Sequence, residues 1–464
     1  MISQKTRSSL TITIGTILVV MGTFVLVAFA SGYNIDFLRG EIVTTGLALL
    51  NTNPGGASIK INEKTLTQKT PYRLEGLKTG QITVEYSKAD HHDWKTSYFV
   101  KAGEVTFADY ALLIPNNIQT KQLDTQTNFS AIRNSNDGSK VFGFGSSPAV
   151  IYEIKSDDQI RKIVELPLDS SLKQASSIDP IDIAQDGSAM VVKTNYESGN
   201  SVIYWVNSAN GELVNLSAFI PQGLKSVRIN PRNNRDILAL LNGQLQHINV
   251  ESRAITSSTL NNINSYNIDR ENIYTLENLA PATNGQFLVR YDQAGNNRYV
   301  LSQYESMSVP GEIIPSKLHG QSNIAILNPD NGTLSMIRQQ DGKILSSVIG
   351  SGIKQPAFSR NGRFITYLQG NHFKTIDIEF TERFSVDQSN ISSLSWFTEF
   401  QLLVTKPDGL YIVDFTGENL IKIPPNTTPP ATTQSAINKN AKGIYYLEGN
   451  KLNHYTLEPK GWLN

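Results

Sequence analysis

The pattern of apolar and polar positions divides the chain into three stretches. From Leu10 to Ala30, LTITIGTILVVMGTFVLVAFA, 21 residues pass without a charge. At about 1.5 Å rise per residue, a helix of that length spans the ~30 Å hydrocarbon layer of a membrane. Beyond Ala30 the period changes. Short runs alternate apolar with polar positions, turn signals separate them, and no second long apolar run follows. That pattern predicts an all-β protein behind a single transmembrane helix.

Residues 31–45, SGYNIDFLRGEIVTT, read as a spacer that could extend about 50 Å at roughly 3.3 Å per residue. Residues 46–114 read as a small β-sandwich. Leu47–Leu50 is an apolar strand broken by Asn53-Pro54-Gly55-Gly56. Ser58–Asn62 alternates, Thr70-Pro71 breaks the chain again, and Gln81–Tyr86, Trp94–Val100 and Val105–Leu113 complete five expected strands. The succession of Pro54-Gly55-Gly56-Ala57, Ile61-Asn62, Thr70-Pro71, Leu74, Leu77 and Gly80 resembles the PEGA domain. Pro54, Gly56 and Ala57 match the motif that names that family, with Gly55 where the family has Glu. The resemblance implies a β-sandwich that serves envelope proteins as a spacer or binding module, and it brings no catalytic residue.

From residue 116 to 464 one pattern recurs: a strand, a polar turn, a strongly apolar strand, a hairpin, then a third strand. The apolar second strands include KVFGF from Lys140, AMVVK from Ala189, DILALL from Asp236, RFITYL from Arg363, QLLV from Gln401 and GIYYL from Gly443. Nine Asn-Gly or Asp-Gly pairs, beginning at Asp137, Asp186, Asn210, Asn242, Asn284, Asn331, Asp341, Asn361 and Asp408, punctuate the region. Such pairs favour tight turns because both residues tolerate positive φ. First turns near 137, 186, 233, 270, 320, 361, 398 and 439 are spaced by about 43 residues, the period of a four-stranded propeller blade. They imply seven or eight blades, the copies near 270 and 320 being weak. The last copy lacks an outer strand, which Ile118–Leu123 is placed to supply, closing the ring. PPNTTPPATT, from Pro424, marks a stiff loop between the last two blades. The unit Ser359-Arg360-Asn361-Gly362-Arg363-Phe364-Ile365 resembles the turns of TolB-like and WD-repeat propellers, although the Trp-Asp signature is absent. That resemblance implies a fold and no particular activity.

Charge orients the chain. Lys5 and Arg7 precede the apolar stretch, while Asp36, Arg39 and Glu41 follow it. The positive-inside rule then leaves the N-terminus in the cytoplasm and the bulk of the chain outside. The alternative is a signal peptide cut after Ala28-Phe29-Ala30, although a typical signal has a shorter apolar core of about 7–15 residues. Both readings export the chain. With 41 basic and 41 acidic residues, the chain shows no excess that points to nucleic acid. Zero cysteines exclude disulfides, thiolate nucleophiles and thiolate metal sites.

Candidate chemistry is sparse. His91-His92-Asp93-Trp94 is the densest set of ligand-type side chains, but adjacent residues on a strand face opposite ways, and the segment reads as an exposed turn. His247, His319, His372 and His454 are scattered, His247 and His454 at comparable third-strand positions. Ser170-Ser171-Leu172-Lys173 fits a Ser-x-x-Lys pattern without its partner motifs. Asp157, Asp158 and Glu197 read as solvated loop charges. Tyr152, Tyr204, Trp205, Tyr367, Tyr411, Tyr445 and Tyr446 read as core aromatics of strands. No residue is therefore assigned as catalytic, cofactor-binding or metal-binding, and no cofactor is expected. The expectation is a single-pass, extracytoplasmic binding or scaffold protein of the cell envelope, whose propeller loops take a protein or glycan. A hydrolase or lyase with a site in the propeller funnel, and a structural surface-layer spacer, are the alternatives.

Overall fold

The computed structural model describes residues 4–36, 41–123, 127–169, 173–221, 224–257, 260–278, 285–305, 307–340, 343–385, 390–423, 435–437 and 443–457. They form two compact units, Met1–Asn117 and Ile118–Asn464.

The first unit opens with helix α1, Gln4–Ala30. Its segment Thr13–Ala30 is long and apolar enough to cross a membrane. The hydroxyl of Thr23 donates to the Val19 carbonyl at 2.9 Å, so that polar group is satisfied within the helix. Eight strands follow: β1 (Tyr33–Asp36), β2 (Glu41–Asn53), β3 (Ser58–Ile61), β4 (Lys64–Lys69), β5 (Tyr72–Lys78), β6 (Gly80–Ser87), β7 (Trp94–Val100) and β8 (Val105–Leu112). β2 pairs antiparallel with β1 and β5 and parallel with β8, while β4, β3, β6 and β7 make the second sheet. Two corrections to the sequence reading result. The stretch expected as a spacer contains β1, hydrogen-bonded to the start of β2, with Tyr33 opposite Thr44 and Asp36 opposite Glu41. The five strands expected in residues 46–114 are seven, β2 to β8, because β4 and β5 carry few apolar residues.

The alternation of each sheet buries one face. Ala48 and Leu50 of β2, Ile59 of β3, Val84 and Tyr86 of β6, Trp94 of β7 and Ala108 of β8 share one core. Tyr86 stacks on Trp94 at 5.2 Å, and Tyr110 meets Trp94 edge-on at 5.4 Å. The Tyr86 hydroxyl donates to the Ala108 carbonyl at 2.6 Å, tying one sheet to the other. The Thr70 hydroxyl accepts from the Ala57 amide at 3.0 Å and lies 2.7 Å from the Thr52 hydroxyl, which fixes the turn that carries the Pro-Gly-Gly-Ala sequence.

The second unit is a β-propeller of eight four-stranded antiparallel sheets among the described residues. Blades 1 to 7 occupy 128–165, 175–215, 224–257, 263–305, 312–350, 353–385 and 393–423. Blade 8 takes three strands from 435–456 and its outer strand from β9, Gln119–Gln122, which pairs with Lys451–Thr456. The weak copies near 270 and 320 are full blades, so the count is eight. First strands of most successive blades contact one another, which makes them the innermost. Second strands such as Asp236–Leu241 and Phe364–Gln369 are buried almost throughout, since neighbouring blades cover both faces. Their unbroken apolar runs follow from that burial. PPNTTPPATT and the turn near 439 lie outside the described residues.

The Ser-x-Asp/Asn-Gly turn works by local hydrogen bonding. Ser135 Oγ donates to Asp137 Oδ1 at 2.8 Å, Asp137 Oδ1 accepts the Ser139 amide at 2.8 Å, and Ser135 Oγ accepts the Lys140 amide at 3.0 Å. Ser359 and Asn361 repeat the arrangement in blade 6, at 2.7 Å for their own bond and 3.0 Å from the Phe364 amide to Ser359 Oγ. Gly362 has φ +74°, and a Cβ there would stand 2.2 Å from the Lys317 carbonyl oxygen of blade 5. Both conformation and space demand glycine.

Candidate functional site

The ring brings polar side chains together in three places that no contiguous motif marks. The first is the channel wall. Asn134 at the end of the first strand of blade 1 accepts the Ile437 amide at 2.9 Å and donates to the Ile437 carbonyl. Asp182 of blade 2 accepts the Ile229 amide of blade 3 at 2.7 Å, and Asn267 of blade 4 donates to the Ile313 carbonyl of blade 5 at 2.7 Å. Neighbouring blades are thus stitched through inner-strand side chains.

Within this wall Arg228 of blade 3 faces carboxylates from two other blades. Its Nη1 lies 3.8 Å from Asp182 Oδ1. Burial raises Asp182 to about 6, against the opposing pull of Arg228 and the Ile229 amide. Burial also raises Glu312 of blade 5, again opposed by Arg228. A cavity of about 270 Å³ opens beside them, lined by Arg228, Glu312, Tyr266, Asn267, Ser226 and Lys225 among others. The Asp182 carboxyl, raised to about 6, can donate or accept a proton close to neutrality, and the Glu312 carboxyl near the same guanidinium is raised as well.

The second place is a cleft of about 510 Å³ on the face formed by the first turns of blades 1 to 4. Its lining includes Asp137, Gln185, Asp186, Ser188, Asn230, Arg232, Asn233, Asn234 and Arg270. Arg232 Nε donates to the Arg270 carbonyl at 2.6 Å, and Asn234 Nδ2 donates to Ser188 Oγ at 2.9 Å. Burial works against the Asp186 charge, but the Ser188 hydroxyl and amide outweigh it and hold the carboxyl below its usual range. Burial lowers the guanidinium of Arg360, from the first turn of blade 6, despite Asp137 and Glu399 nearby. Arg360 reaches the first turn of blade 1: a Cβ on Gly138 would stand 2.5 Å from its Nη2.

The third place is the seam that closes the ring. His454 Nδ1 lies 2.7 Å from Asp158 Oδ1, and Lys121 Nζ of β9 lies 3.0 Å from Asp158 Oδ2. Tyr445 stacks on His454 at 4.4 Å and donates to the Lys155 carbonyl at 3.0 Å. Asp158 is therefore largely covered and doubly paired, a correction to its reading as a solvated charge. Asp157 and Glu197 are exposed, as expected.

The remaining singled-out residues are dispersed. His91 is buried with Nδ1 2.7 Å from the Ala89 carbonyl, while His92 and Asp93 face outward. His247 and His454 each occupy the fourth position of a third strand, and burial lowers both. His319 is exposed, 3.2 Å from Glu379, and His372 is half-buried. Tyr204, Trp205, Tyr367, Tyr445 and Tyr446 are buried in the core, with Tyr152 and Tyr411 half-buried. Ser170, Ser171 and Leu172 lie outside the described residues.

Residues 45–114 match the PEGA domain family. No curated protein matches the chain. Among solved structures, an oligogalacturonate lyase in complex with manganese is 14% identical, with a TM-score of 0.42 over 64% of this chain and 98% of its own. The β-propeller domain of Cps50 (Swd1) from Myceliophteria thermophila is 12% identical, with a TM-score of 0.41 over 74% and 100%. A eukaryotic initiation factor is 12% identical, with a TM-score of 0.45 over 75% and 96%. Residues 45–114 are a PEGA domain, and the chain continues from it into a β-propeller.

Proposed function

We propose that this protein is held at the membrane by α1, with the PEGA domain and propeller outside the cytoplasm, and that it binds a protein or glycan of the cell envelope through its propeller turns. The cleft over blades 1 to 4 supports this reading above all. Its Asn, Gln, Ser, Asp and Arg side chains converge from four separate blades, each held by a rigid sheet. Such mixed donors and acceptors suit hydroxyl-rich or peptide surfaces, and loops on a fixed scaffold are where binding groups concentrate. Proximity crosslinking of the full chain in its own membrane tests it. Capture of one envelope component, lost in an Arg232→Glu, Arg270→Glu variant that keeps its circular dichroism, is expected. Recovery of nothing above background overturns the binding reading.

A second reading rests on Asp182 and Glu312 flanking Arg228: an extracytoplasmic hydrolase or lyase acting in the channel. Turnover of an envelope polymer by the native chain, abolished by Glu312→Gln, would favour it. Equal turnover by both proteins would remove the channel from consideration.

A further inference from the structure

The structure around the end of α1 carries an inference about the PEGA unit itself. Ser31 prolongs the helix through its amide bond to the Val27 carbonyl at 2.9 Å. The Gly32 carbonyl then accepts the Thr45 amide at 2.6 Å and the Thr45 hydroxyl at 3.3 Å. The Gly103 amide donates to the Thr45 carbonyl at 3.0 Å. Three glycines make this joint tight. A Cβ on Gly32 would stand 2.2 Å from the Gly103 nitrogen, one on Gly103 2.9 Å from the Ser31 carbonyl carbon, and one on Gly46 2.6 Å from the Lys101 carbonyl oxygen. No flexible tether separates the apolar helix from the sandwich. The first hydrogen bond to β2 forms two residues after Ala30.

The surface of the sandwich is uneven about this joint. Among its described residues, five large apolar side chains are exposed: Tyr33, Ile42, Phe99, Val105 and Phe107. Phe99 is 68% exposed, Phe107 53% and Ile42 73%. Each lies within four residues of Gly32, Thr45 or Gly103, which in extended chain is about 13 Å at ~3.3 Å per residue. The turns at the opposite end, around Pro54, Pro71 and Asp90, expose none of these. That end instead presents Asp90, His92 and Asp93.

We propose that the joint end of the sandwich is itself seated in the bilayer surface, with Phe99, Val105, Phe107, Ile42 and Tyr33 dipping into the boundary between headgroups and acyl chains. The inference rests on the reading of α1 as an uncleaved anchor. The partner is a lipid surface because α1 ends there: a helix that spans the hydrocarbon layer brings Gly32 to its edge, and the exposed apolar groups surround that point. Aromatic side chains favour this depth, and each apolar group withdrawn from water adds to the hold. Lys101, exposed at the same end and 3.5 Å from the equally exposed Glu104, lies at the level of the phosphate layer.

The absence of cysteine makes the test direct. Single variants Phe99→Cys, Phe107→Cys, Val19→Cys and Asp93→Cys of the full chain are spin-labelled and reconstituted in phosphatidylcholine–phosphatidylglycerol vesicles. Collision rates with oxygen and with a water-soluble nickel chelate report depth. The expected result is a label at 19 deep in the bilayer, labels at 99 and 107 shielded from nickel at least fivefold relative to 93, and 93 in water. Labels at 99 and 107 as accessible as 93, with 19 still buried in lipid, overturn this inference and leave the anchor intact. A label at 19 in water overturns the anchor, and the inference with it.

Discussion

The two β units of this chain hold themselves together in opposite ways. The PEGA sandwich has one core, in which Trp94 touches Tyr86 and Tyr110 and both sheets share the same cluster. The propeller has many cores among the described residues: one lies between blades 8 and 1 and one between each neighbouring pair from blade 1 to blade 6. Met190, Val192 and Val206 of blade 2 pack with Phe142 and Phe144 of blade 1, and Ile237 and Ala239 of blade 3 pack with Val191 and Trp205 of blade 2. A sandwich concentrates its stability, so one lesion spreads. A ring distributes it, so a lesion stays between two blades, and its inner wall can carry charge that a single core would reject.

Trp94→Ala should therefore have the largest effect. Removing a fully buried indole costs about 3–5 kcal/mol, and hydrogen exchange should show protection lost throughout β2 to β8 while the ring strands keep theirs. Loss confined to β7 would show that the sandwich is as modular as the ring.

Asp182 probes the charged inner wall. The folded ring retains its proton up to about pH 6, whereas an ordinary aspartic acid, at 3.8, has lost it. Stability from this group is complete below about pH 4, falls between pH 4 and 6 by up to ~3 kcal/mol, and is absent above. Urea midpoints of the native chain and Asp182→Asn, compared at pH 4 and 7, should diverge accordingly, the variant changing less. Parallel pH dependence in the two would remove Asp182 as the source.

Asn134→Ala removes both bonds to Ile437 and leaves buried backbone groups unpaired, at a cost of about 1–3 kcal/mol. Exchange should quicken in blades 8 and 1 and remain unchanged in blades 3 to 6. Quickening around the whole ring would mean that the propeller melts as one body. The smallest expected effect concerns His454, which burial holds below its ordinary 6.5. The fold favours the neutral ring, so its contribution is intact above pH 6.5 and declines as acid protonates it. His454→Gln should blunt the acid-side loss of protection in Lys451–Thr456.

What the sequence disclosed follows the same division. In the ring, six blades show their most buried strand as an apolar run, and the hydrogen-bonded Ser-x-Asp/Asn-Gly turn stands at Ser135 and at Ser359. Blades 4 and 5 are faint because their second strands, Asn272–Asn278 and Gln321–Asn328, begin and end in polar residues, and their first turns, Asp269-Arg270-Glu271 and His319-Gly320, carry no Asn-Gly or Asp-Gly pair. In the sandwich, β4 (KTLTQK) escaped notice because its side chains are nearly all solvated, and β1 because so short a strand has meaning only once β2 lies beside it. The polar constellations were hidden for a different reason. Asp182, Arg228 and Glu312 belong to three blades, and Asp158 meets His454 only through ring closure. Such proximity is a property of the topology, and no spacing in one strand encodes it.

The closing strand has a consequence for biosynthesis. Asn134 and its partner Ile437 are 303 residues apart, and β9 pairs with the last described strand of the chain. A chain emerging N-terminus first holds Gln119–Gln122 without its partner until Lys451–Thr456 has been delivered. A product truncated before Lys451 thus carries two unpaired strand edges, one at each side of the gap. The ring reports its own closure: only a chain that reaches Thr456 hides both edges from a protease or from a second chain.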